Sequence, residues 1–425
     1  MNDALAIDAD SPTLPAGASV GKVVLRPRKA LPFYGRHPWV LASAVSHVEI
    51  SPGKRVKDEA QFDGQVMDLF NEKDRFVARG FFNSKSRIRM RLLTWVESEL
   101  IDEEFFRRRI GAAVRRREQL GYEAATDHVA TATRLIFSES DFLSGMVVDR
   151  YGDYLVVQAT SLAIAQRLTM IVGILFELLH PRGIVLRSDK GMGQLEGVEI
   201  ADGNIWGELA EESLVIEENG LKFGLDLREG QKTGFYLDQR ENRRAAASYL
   251  KDCRVLDMFC YTGGFSLAAA LGHAKETLGI DSSKRAIAQA QTNAQLNQLA
   301  NCQFEVGDGF KTLDALEDEG RRFDAVILDP PKFARSRSTV NQALMAYHRV
   351  NRSAVNLLER GGILVTCSCS GSVSREDFML MLSGVAQKTG RDIQILETRG
   401  AAPDHPVSAT CLETEYLKCV ICRVL

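Results

Sequence analysis

The first 252 residues of the chain contain no cysteine, and all eight cysteines lie at or beyond Cys253. The first 20 residues carry acids and no bases, so they lack the basic region of a secretory signal. We therefore expect free thiols, a reducing compartment and a cytoplasmic location. Long apolar runs are also absent. The nearest, residues 161–180, is interrupted by Gln166-Arg167 and carries Glu177, which predicts no membrane association.

A strong net charge is missing as well, since the formal charge is −3 over 425 residues. The composition, 45% hydrophobic and 26% charged, is that of a globular protein with two or three domains. The charge is uneven, however: residues 21–120 hold 21 Lys and Arg against 13 Asp and Glu. A basic segment joined to a mildly acidic remainder indicates a polyanionic partner, the alternative being a solvated basic surface.

The stretch 253–281 predicts a strand, a turn, a helix and a second strand, but it lacks the G-x-G-x-x-G pattern of dinucleotide sites. Its strands end at Asp257 and Asp281, and its turn is Tyr261-Thr262-Gly263-Gly264. No basic residue stands near the turn to meet a phosphate. This favours S-adenosylmethionine, which has a ribose, an adenine and an amino acid but no phosphate. Asp281 is predicted to bind the ribose, and Asp257 with the turn to bind the methionine end; an ordinary βαβ unit is the alternative.

Two later strands also end in acids, at Asp308 and Asp329. Four such units predict an α/β fold, with a doubly wound sheet and a ligand at the carboxyl ends of its strands. Asp308 is assigned to the adenine amino group and Asp329 to both the cofactor and the substrate. Tyr236, in the polar and aromatic segment 231–240, is predicted to fold over the site and stack on adenine. A helix N-cap around Asp238 is the alternative.

The segment Asp329-Pro-Pro-Lys332-Phe333 follows a strand, at the place where a substrate base would meet the methyl group. Its prolines make the backbone rigid. The Asp329 carboxylate or a neighbouring carbonyl can then bind the polar edge of a flipped base, which costs only a few kcal/mol to unstack.

Cys369 is the predicted nucleophile. Cytosine C5 is a poor nucleophile until a thiolate adds to C6, and an ordinary thiol is only a few per cent ionised at neutral pH. A strand end next to serines offers such a thiol a polar, partly exposed site. The alternative is that Cys367 and Cys369 are both small buried residues. A zinc cluster with Cys419-x-x-Cys422 is disfavoured because both pairs lie in strand-like runs, so no metal is predicted.

The basic N-terminal part predicts short strands that form a small β-barrel after a disordered leader, residues 1–20. Its candidate RNA-binding residues are three arginines at alternate positions and an aromatic turn: Arg87, Arg89, Arg91, Arg36, His37 and Trp39. Phosphate contacts from the arginines and stacking on the aromatic rings suit RNA; a charged edge strand is the alternative. A strong helix over 102–120 follows, some of whose arginines are expected to face the acidic domain or solvent. Between 133 and 189 an α+β region is predicted, whose Arg and Asp pairs are interpreted as surface charges.

Six stretches, in order along the chain, resemble the bacterial rRNA large-subunit methyltransferase I family. They are Arg36-His-Pro-Trp39, Lys232-Thr-Gly-Phe-Tyr-Leu-Asp-Gln-Arg240, Tyr261-Thr-Gly-Gly-Phe265, Asp329-Pro-Pro-Lys-Phe333, Ser368-Cys-Ser-Gly371 and Asp404-His-Pro406. The resemblance implies formation of 5-methylcytosine in 23S rRNA, or in a large-subunit precursor, with S-adenosylmethionine. It also implies an N-terminal PUA domain (21–97), a central α+β domain (98–198) and a Rossmann-like class I methyltransferase domain (199–425) with seven strands.

The chain departs from other RNA cytosine-5 methyltransferases, many of which carry a second cysteine after the Asp-x-Pro motif. Lys332 occupies that position, so Lys332 or a water is the candidate for releasing the covalent adduct. Two other functions stay open at this point: an N-methyltransferase acting on a purine amine of RNA, and a non-catalytic RNA-binding assembly factor. The sequence leaves the oligomeric state undetermined.

Overall fold

The computed structural model describes residues 15–51, 53–122, 131–188, 193, 195–197, 200–208, 214–227, 234–334 and 337–425. Most of the predicted leader (1–14), residues 231–233 of the polar and aromatic segment, and the predicted boundary at 198 and 199 lie outside these ranges. No helix among the described residues is long and apolar enough to cross a bilayer.

The N-terminal sheet has seven strands in the order β2-β7-β6-β5-β1-β3-β4. Its strands and the short helix beside them are β1 (Lys22–Leu25), α1 (Leu31–Tyr34), β2 (Trp39–Leu41), β3 (Val45–Ser51), β4 (Lys54–Arg55), β5 (Val66–Phe70), β6 (Phe76–Phe82) and β7 (Ile88–Thr94). Val23, Met67 and Phe82 lie in its core, which confirms the predicted β-rich module.

The central sheet has five strands in the order β12-β11-β10-β9-β8. The elements of this region are α2 (Glu103–Glu118), β8 (Ala132–Phe137), β9 (Met146–Tyr151), β10 (Tyr154–Ala159), α3 (Leu162–Ala165), α4 (Leu168–Leu179), β11 (Gly183–Leu186) and β12 (Gly203–Gly207). β12 lies beyond residue 198, where the sequence predicts the change of domain. Helix α2 begins as predicted, because the Asp102 side chain caps the Phe105 N–H at 2.9 Å. Phe106 of α2 stacks on Phe81 of the N-terminal sheet, so the two regions share a core.

A hairpin, β13 (Leu214–Glu218) and β14 (Leu221–Leu225), connects the central and C-terminal sheets. Asn219 and Gly220 both have positive φ, at 52° and 80°. This is the backbone of a tight hairpin turn, for which Asn-Gly is the preferred pair, and it confirms the prediction.

The C-terminal sheet has seven strands in the order β17-β16-β15-β18-β19-β21-β20, as the resemblance implies. Its elements are α5 (Arg240–Ala247), β15 (Arg254–Met258), α6 (Gly264–Leu271), β16 (Glu276–Asp281), α7 (Lys284–Leu296), β17 (Cys302–Val306), α8 (Gly309–Asp318), β18 (Phe323–Leu328), α9 (Val340–Leu357), β19 (Leu358–Ser368), α10 (Arg375–Thr389), β20 (Ile393–Arg399) and β21 (Lys418–Val424). The first five strands in the order pair in parallel, and β21 pairs antiparallel with both β19 and β20. The strand order reverses beside β15 and β18, the place where such sheets bind ligands.

The interpretation of the central Arg and Asp pairs as surface charges is wrong. Arg117 donates to both carboxylate oxygens of Asp141, at 2.6 and 2.7 Å, and both side chains are buried. Arg134 makes a similar two-bond contact with the buried Asp149. Arg117 also donates to the backbone carbonyl of Asp404 at 2.8 Å and so ties the central region to the C-terminal one. Sequence spacing misses these pairs because their burial arises only when the regions pack together.

Replacing Arg117 by Met is expected to lower the thermal unfolding midpoint, because it leaves the Asp141 carboxylate buried without its main cation. Breaking a buried ion pair from one side costs about 3–5 kcal/mol. The matched control is Arg115→Met on the exposed side of α2, which should leave the midpoint nearly unchanged. Equal midpoints for the two variants would contradict the assignment. Scanning calorimetry of the full chain measures both.

Candidate active site

Asp257 is the penultimate residue of β15, at the reversal of strand order, and is 0% exposed. One of its oxygens accepts the Ser266 N–H at 3.0 Å and the Ser266 hydroxyl at 2.6 Å, in the first turn of α6. Its other oxygen, Oδ1, is buried and has no hydrogen-bond partner. Burial raises the pKa of Asp257 to about 7, and the charges of Asp329 and Asp281 act in the same direction. A buried acceptor without a partner is suited to a ligand donor.

The turn after β15 is held by Asp281, at the end of β16. Asp281 accepts the Tyr261 N–H at 3.0 Å and the Ser283 N–H at 2.8 Å. Gly263 has φ of 84°, and a Cβ there would stand 3.0 Å from the Phe304 ring. Both the backbone angle and the close contact require glycine at this position. The predicted cofactor turn is thus built by Asp281 itself.

Tyr236 packs edge-on against Tyr261, with ring centroids 5.2 Å apart. Burial raises the pKa of Tyr236, and Tyr261, Asp329 and Cys369 add to the rise. Tyr236 therefore lies where the glycine turn, the Asp329 segment and the Cys369 strand meet. Asp308 is exposed, and its carboxylate caps α8 by accepting the Lys311 N–H at 3.0 Å.

The two serines around Cys369 are fixed by Tyr347, which projects from α9. The Ser368 hydroxyl donates to Tyr347 Oη at 2.9 Å, and Tyr347 Oη lies 3.0 Å from Ser370 Oγ. Ser370 Oγ also accepts the Ala334 N–H at 3.2 Å, which joins the Asp329 segment to the Cys369 strand. Tyr347 was not predicted from the sequence, since nothing in its helical context separates it from other core aromatics.

The two neighbouring thiols differ in environment. Cys367 is 0% exposed and lies opposite Cys419 on β21. A hydrogen bond between the two thiols, together with burial, raises the pKa of Cys367. Cys369, past the end of β19, is partly exposed. Cys419 and Cys422 are three residues apart on one strand, so their side chains point to opposite faces and cannot share a metal with Cys367. Asp329 at the end of β18 is partly buried, and Lys332 is exposed.

Comparison with known proteins identifies the family of the chain and two of its domains. The family model for S-adenosylmethionine-dependent methyltransferases matches residues 201–413, and a PUA-like domain model matches residues 23–95. The Ribosomal RNA large subunit methyltransferase I of Escherichia coli O127:H6 is 38% identical over 392 residues, covering 92% of this chain and 96% of the relative. The protein of the same name from Tolumonas auensis is 39% identical over 394 residues, covering 92% and 96%. The chain belongs to the ribosomal RNA large subunit methyltransferase I family.

A solved methyltransferase from Streptococcus mutans shares the fold of this family member, with a TM-score of 0.79 and 22% identity, covering 95% of this chain and 99% of that one. The two family models show that the present chain is an S-adenosylmethionine-dependent methyltransferase with a PUA-like N-terminal domain, as the sequence predicts.

The three arginines at alternate positions of β7 and the segment before it differ in exposure along the row, from the surface to the contact between the N-terminal and central regions. Arg87 is exposed and Arg89 is partly exposed, but Arg91 is only 4% exposed. Arg91 forms ion pairs with Glu139 at 3.1 Å and Glu196 at 2.9 Å. The prediction that Arg91 contacts RNA is therefore wrong, because β7 turns this end of the row toward the central region.

Two residues of the Arg36-His-Pro-Trp39 turn also have partners in other regions. The Trp39 indole N–H donates to Glu139 at 2.8 Å, and His37 Nε2 lies 3.4 Å from Glu413. Arg36 is exposed and lies over the Trp95 ring, with its guanidinium 6.0 Å from the ring centroid. Within this turn, Arg36 is the residue that presents a cation to solvent.

His37, Cys411 and Glu413 lie close enough together to resemble a metal site. His37 Nδ1, however, accepts the Trp39 backbone N–H at 3.2 Å. A neutral imidazole that accepts a hydrogen bond at Nδ1 carries its proton on Nε2. Nε2 then donates a hydrogen bond to Glu413 and has no lone pair with which to bind a metal. Hydrogen bonding between domains accounts for this cluster.

The Asp404-His-Pro406 motif is a further domain contact. The buried Asp404 carboxylate accepts the Arg134 N–H at 3.0 Å and the Thr133 hydroxyl at 3.3 Å, and lies 2.8 Å from His405 Nδ1. Burial alone would raise the Asp404 pKa, but His405 and Arg240 outweigh it and hold that pKa well below the usual range. The motif thus anchors the C-terminal sheet to β8 of the central sheet.

Replacing Asp257 by Asn is expected to flatten the pH dependence of stability. A carboxyl whose pKa is raised to about 7 on folding holds an extra proton between about pH 4 and 7, so wild-type stability falls as pH rises through that window. The decrease is up to about 4 kcal/mol, and Asn cannot ionise. Thermal midpoints measured from pH 4.5 to 8 should fall less for Asp257→Asn than for wild type. The exposed Asp318→Asn serves as control, and identical slopes in all three proteins would refute the prediction.

Proposed function

We propose that the enzyme forms 5-methylcytosine in the ribosomal RNA of the large subunit, through a covalent bond between Cys369 and the target base. The substrate class follows from the name of its relatives. The observation that supports the chemistry is the difference between the thiols: Cys369 is partly exposed at a strand end that faces Tyr236, whereas Cys367 is sealed against Cys419. Such a substrate implies a cytoplasmic reaction.

The residues at the glycine turn fit S-adenosylmethionine. The buried Asp257 Oδ1 lacks a donor, and the backbone of the turn has a φ of 84° at Gly263, a conformation that favours glycine. We assign Asp257, Tyr261 and Gly264 to the methionine end, Asp281 to the ribose and Asp308 to the adenine. When bound, the cofactor supplies the electrophilic methyl group that cytosine C5 accepts.

The chain's own chemistry is to make C5 reactive and then to release the product. The Cys369 thiolate forms a bond to C6, and the electrons of the C5–C6 double bond move to C5. After C5 is methylated, a base removes the C5 proton. The electron pair of that C–H bond restores the double bond, the C6–S bond breaks, and the thiolate leaves.

Asp329 and Lys332 are proposed to serve the substrate base. Asp329 directly follows β18, the strand beside β15. Its negative charge adds to the rise in the pKa of both Tyr236 and Asp257. Its carboxylate can accept hydrogen bonds from the base, while the rigid prolines after it fix the backbone. Lys332 is exposed at the same edge and is close enough to affect Lys418. A water beside Lys332 is proposed to take the C5 proton, or Lys332 itself once it has given up its own proton to solvent.

We propose that the N-terminal domain binds the rRNA, either as 23S rRNA or within a subunit precursor. Arg28, Lys29 and Arg36 are exposed around α1, and the Tyr34 ring and the aliphatic Leu31 side chain are exposed between them. Arg87 and Arg89 extend the cationic surface. Cations with exposed apolar side chains suit phosphate contacts and base stacking.

Replacing Cys369 by Ala is expected to abolish methyl transfer, lowering it more than about 1,000-fold because no other group activates C5. The assay follows tritium release from 5-tritiated cytosine in large-subunit rRNA. Cys367→Ala is the matched control and should retain most activity, since Cys367 is buried away from the substrate. Unchanged release by Cys369→Ala would refute the covalent mechanism, and a dead Cys367 variant beside a live Cys369 variant would reverse the assignment.

Replacing both Arg28 and Arg36 by Glu is expected to weaken rRNA binding and to make it less sensitive to salt. The slope of log affinity against log salt should fall by about 1 for each phosphate that the variant no longer binds. The exposed Lys388→Glu on α10 controls for a general change of charge. Filter binding at several salt concentrations measures the slope. An unchanged slope would place the RNA on a different surface.

A further inference from the structure

Lys418 is a buried cation that the reaction described above does not use. It is the first residue of β21, pairs with Ser368 across the sheet, and is only 1% exposed. Lysines are rarely buried to this degree without a reason, because removing an ammonium group from water is costly. Its position places it next to the end of β19, where Cys369 follows Ser368.

The ammonium group of Lys418 is fully used as a donor. Nζ lies 2.7 Å from the Ser370 carbonyl, 2.8 Å from the Val373 carbonyl and 2.9 Å from the Tyr416 carbonyl. Three N–H bonds to three carbonyls match the protonated amine, which has three donors and no acceptor. A neutral amine would lose one of these bonds, so this lysine is held as a cation and is unsuited to act as a base.

The charge of Lys418 has no carboxylate within ion-pair distance among the described residues. The neighbouring Glu415 is committed elsewhere, in an ion pair with Arg375 at 2.7 Å. Of the neighbouring groups that raise the pKa of Lys418 by their negative charge, Cys369 has the largest effect and Glu415 the next. Burial lowers the pKa of Lys418 to about 8, so the group remains mostly protonated at pH 7.

We propose that Lys418 is a positioning residue that stabilises the thiolate of Cys369 and fixes the backbone on which that thiol stands. The proposal rests on the proposed role of Cys369 as the nucleophile. The carbonyl of Ser370, directly after Cys369, is held by Lys418, and the side chains of Ser368 and Ser370 are held by Tyr347. The thiol proton leaves to solvent, and the buried cation compensates the negative sulfur that remains.

Other charged groups around the thiol act in both directions. Lys332 and Arg375 add positive charge near Lys418, whereas Asp329 places a negative charge near Tyr236, a side chain whose pKa Cys369 also raises. Tyr347 is a neutral neighbour whose pKa is raised by burial. Lys418 differs from the other cations in being desolvated, so its field is screened least by water.

The test measures the rate of alkylation of Cys369 by iodoacetamide between pH 5.5 and 9.5, with peptide mass spectrometry to separate it from Cys367. In the wild type we expect the rate to reach half of its maximum at a pH below about 8.5, the ordinary pKa of a thiol. This pH is the midpoint compared below. Cys253 is the internal reference: it is partly exposed, and burial with nearby Asp324 and Asp252 raises its pKa. A Cys369 midpoint at or above that of Cys253 would overturn the proposal, whatever any variant does.

The variants separate charge from hydrogen bonding. Lys418→Gln retains donors but removes the charge, and we expect its Cys369 midpoint to rise by about one pH unit, which is about a tenfold slower alkylation at pH 7. Lys418→Arg should keep the midpoint within a fraction of a unit of the wild type, and the exposed Lys388→Gln should not move it. Thermal unfolding monitors each fold. An unchanged midpoint in a folded Lys418→Gln protein contradicts the proposal, and if that variant does not fold, the wild-type comparison with Cys253 decides.

Alkylation needs no rRNA, so this result is independent of the proposed reaction. A low Cys369 midpoint that depends on Lys418, together with unchanged tritium release by Cys369→Ala, would uphold the thiolate site and refute the covalent mechanism. A high midpoint together with a dead Cys369→Ala variant would uphold the mechanism and refute the role of Lys418.

Discussion

Parallel pairing of β15, β18 and β19 is the constraint on which the candidate site depends. Met258 pairs with Leu328, and Leu328 pairs with Thr366, so the three strands end at one edge of the sheet. Because all three run in the same direction, the residues that follow them must come together there. Asp257, Asp329 and Cys369 therefore share a site although the first and the last are more than 100 residues apart in the chain.

Buried polar contacts hold the other regions around that edge. Arg117 joins Asp141 to the loop that carries Asp404, and Asp404 in turn accepts the backbone N–H of Arg134. Glu139 receives both Trp39 and Arg91 from the N-terminal domain. The N-terminal, central and C-terminal regions are thus held together by a set of hydrogen bonds whose polar groups are costly to leave unpaired. Part of what resembled an RNA-binding motif is instead this contact between domains.

Local signals predicted the parts of the site that lie on single elements. Acids at strand ends, the Gly-Gly turn and the Asn219-Gly220 hairpin are all dictated by short-range geometry, and the structure has them where the sequence indicates. The choice of Cys369 over Cys367 stays a prediction, supported by the greater exposure of Cys369, which lies past the end of β19. Tyr347 and Lys418 were not predicted and Arg91 was assigned wrongly, because the surroundings of all three come from elements distant in sequence. A lysine in an apolar strand or an arginine in an alternating one carries no mark of its tertiary partner.

The covalent bond between Cys369 and cytosine is the step that distinguishes the proposed mechanism. Its most direct test is an rRNA fragment carrying 5-fluorocytidine at the target position, incubated with enzyme and S-adenosylmethionine and analysed by denaturing gel. Fluorine at C5 cannot be removed as a proton, so the bond to sulfur should persist, and the wild type is predicted to give a complex that survives denaturation while Cys369→Ala gives none. Persistence of the complex in Cys369→Ala, or methylation of the unmodified fragment without any complex on the fluorinated one, would contradict the account.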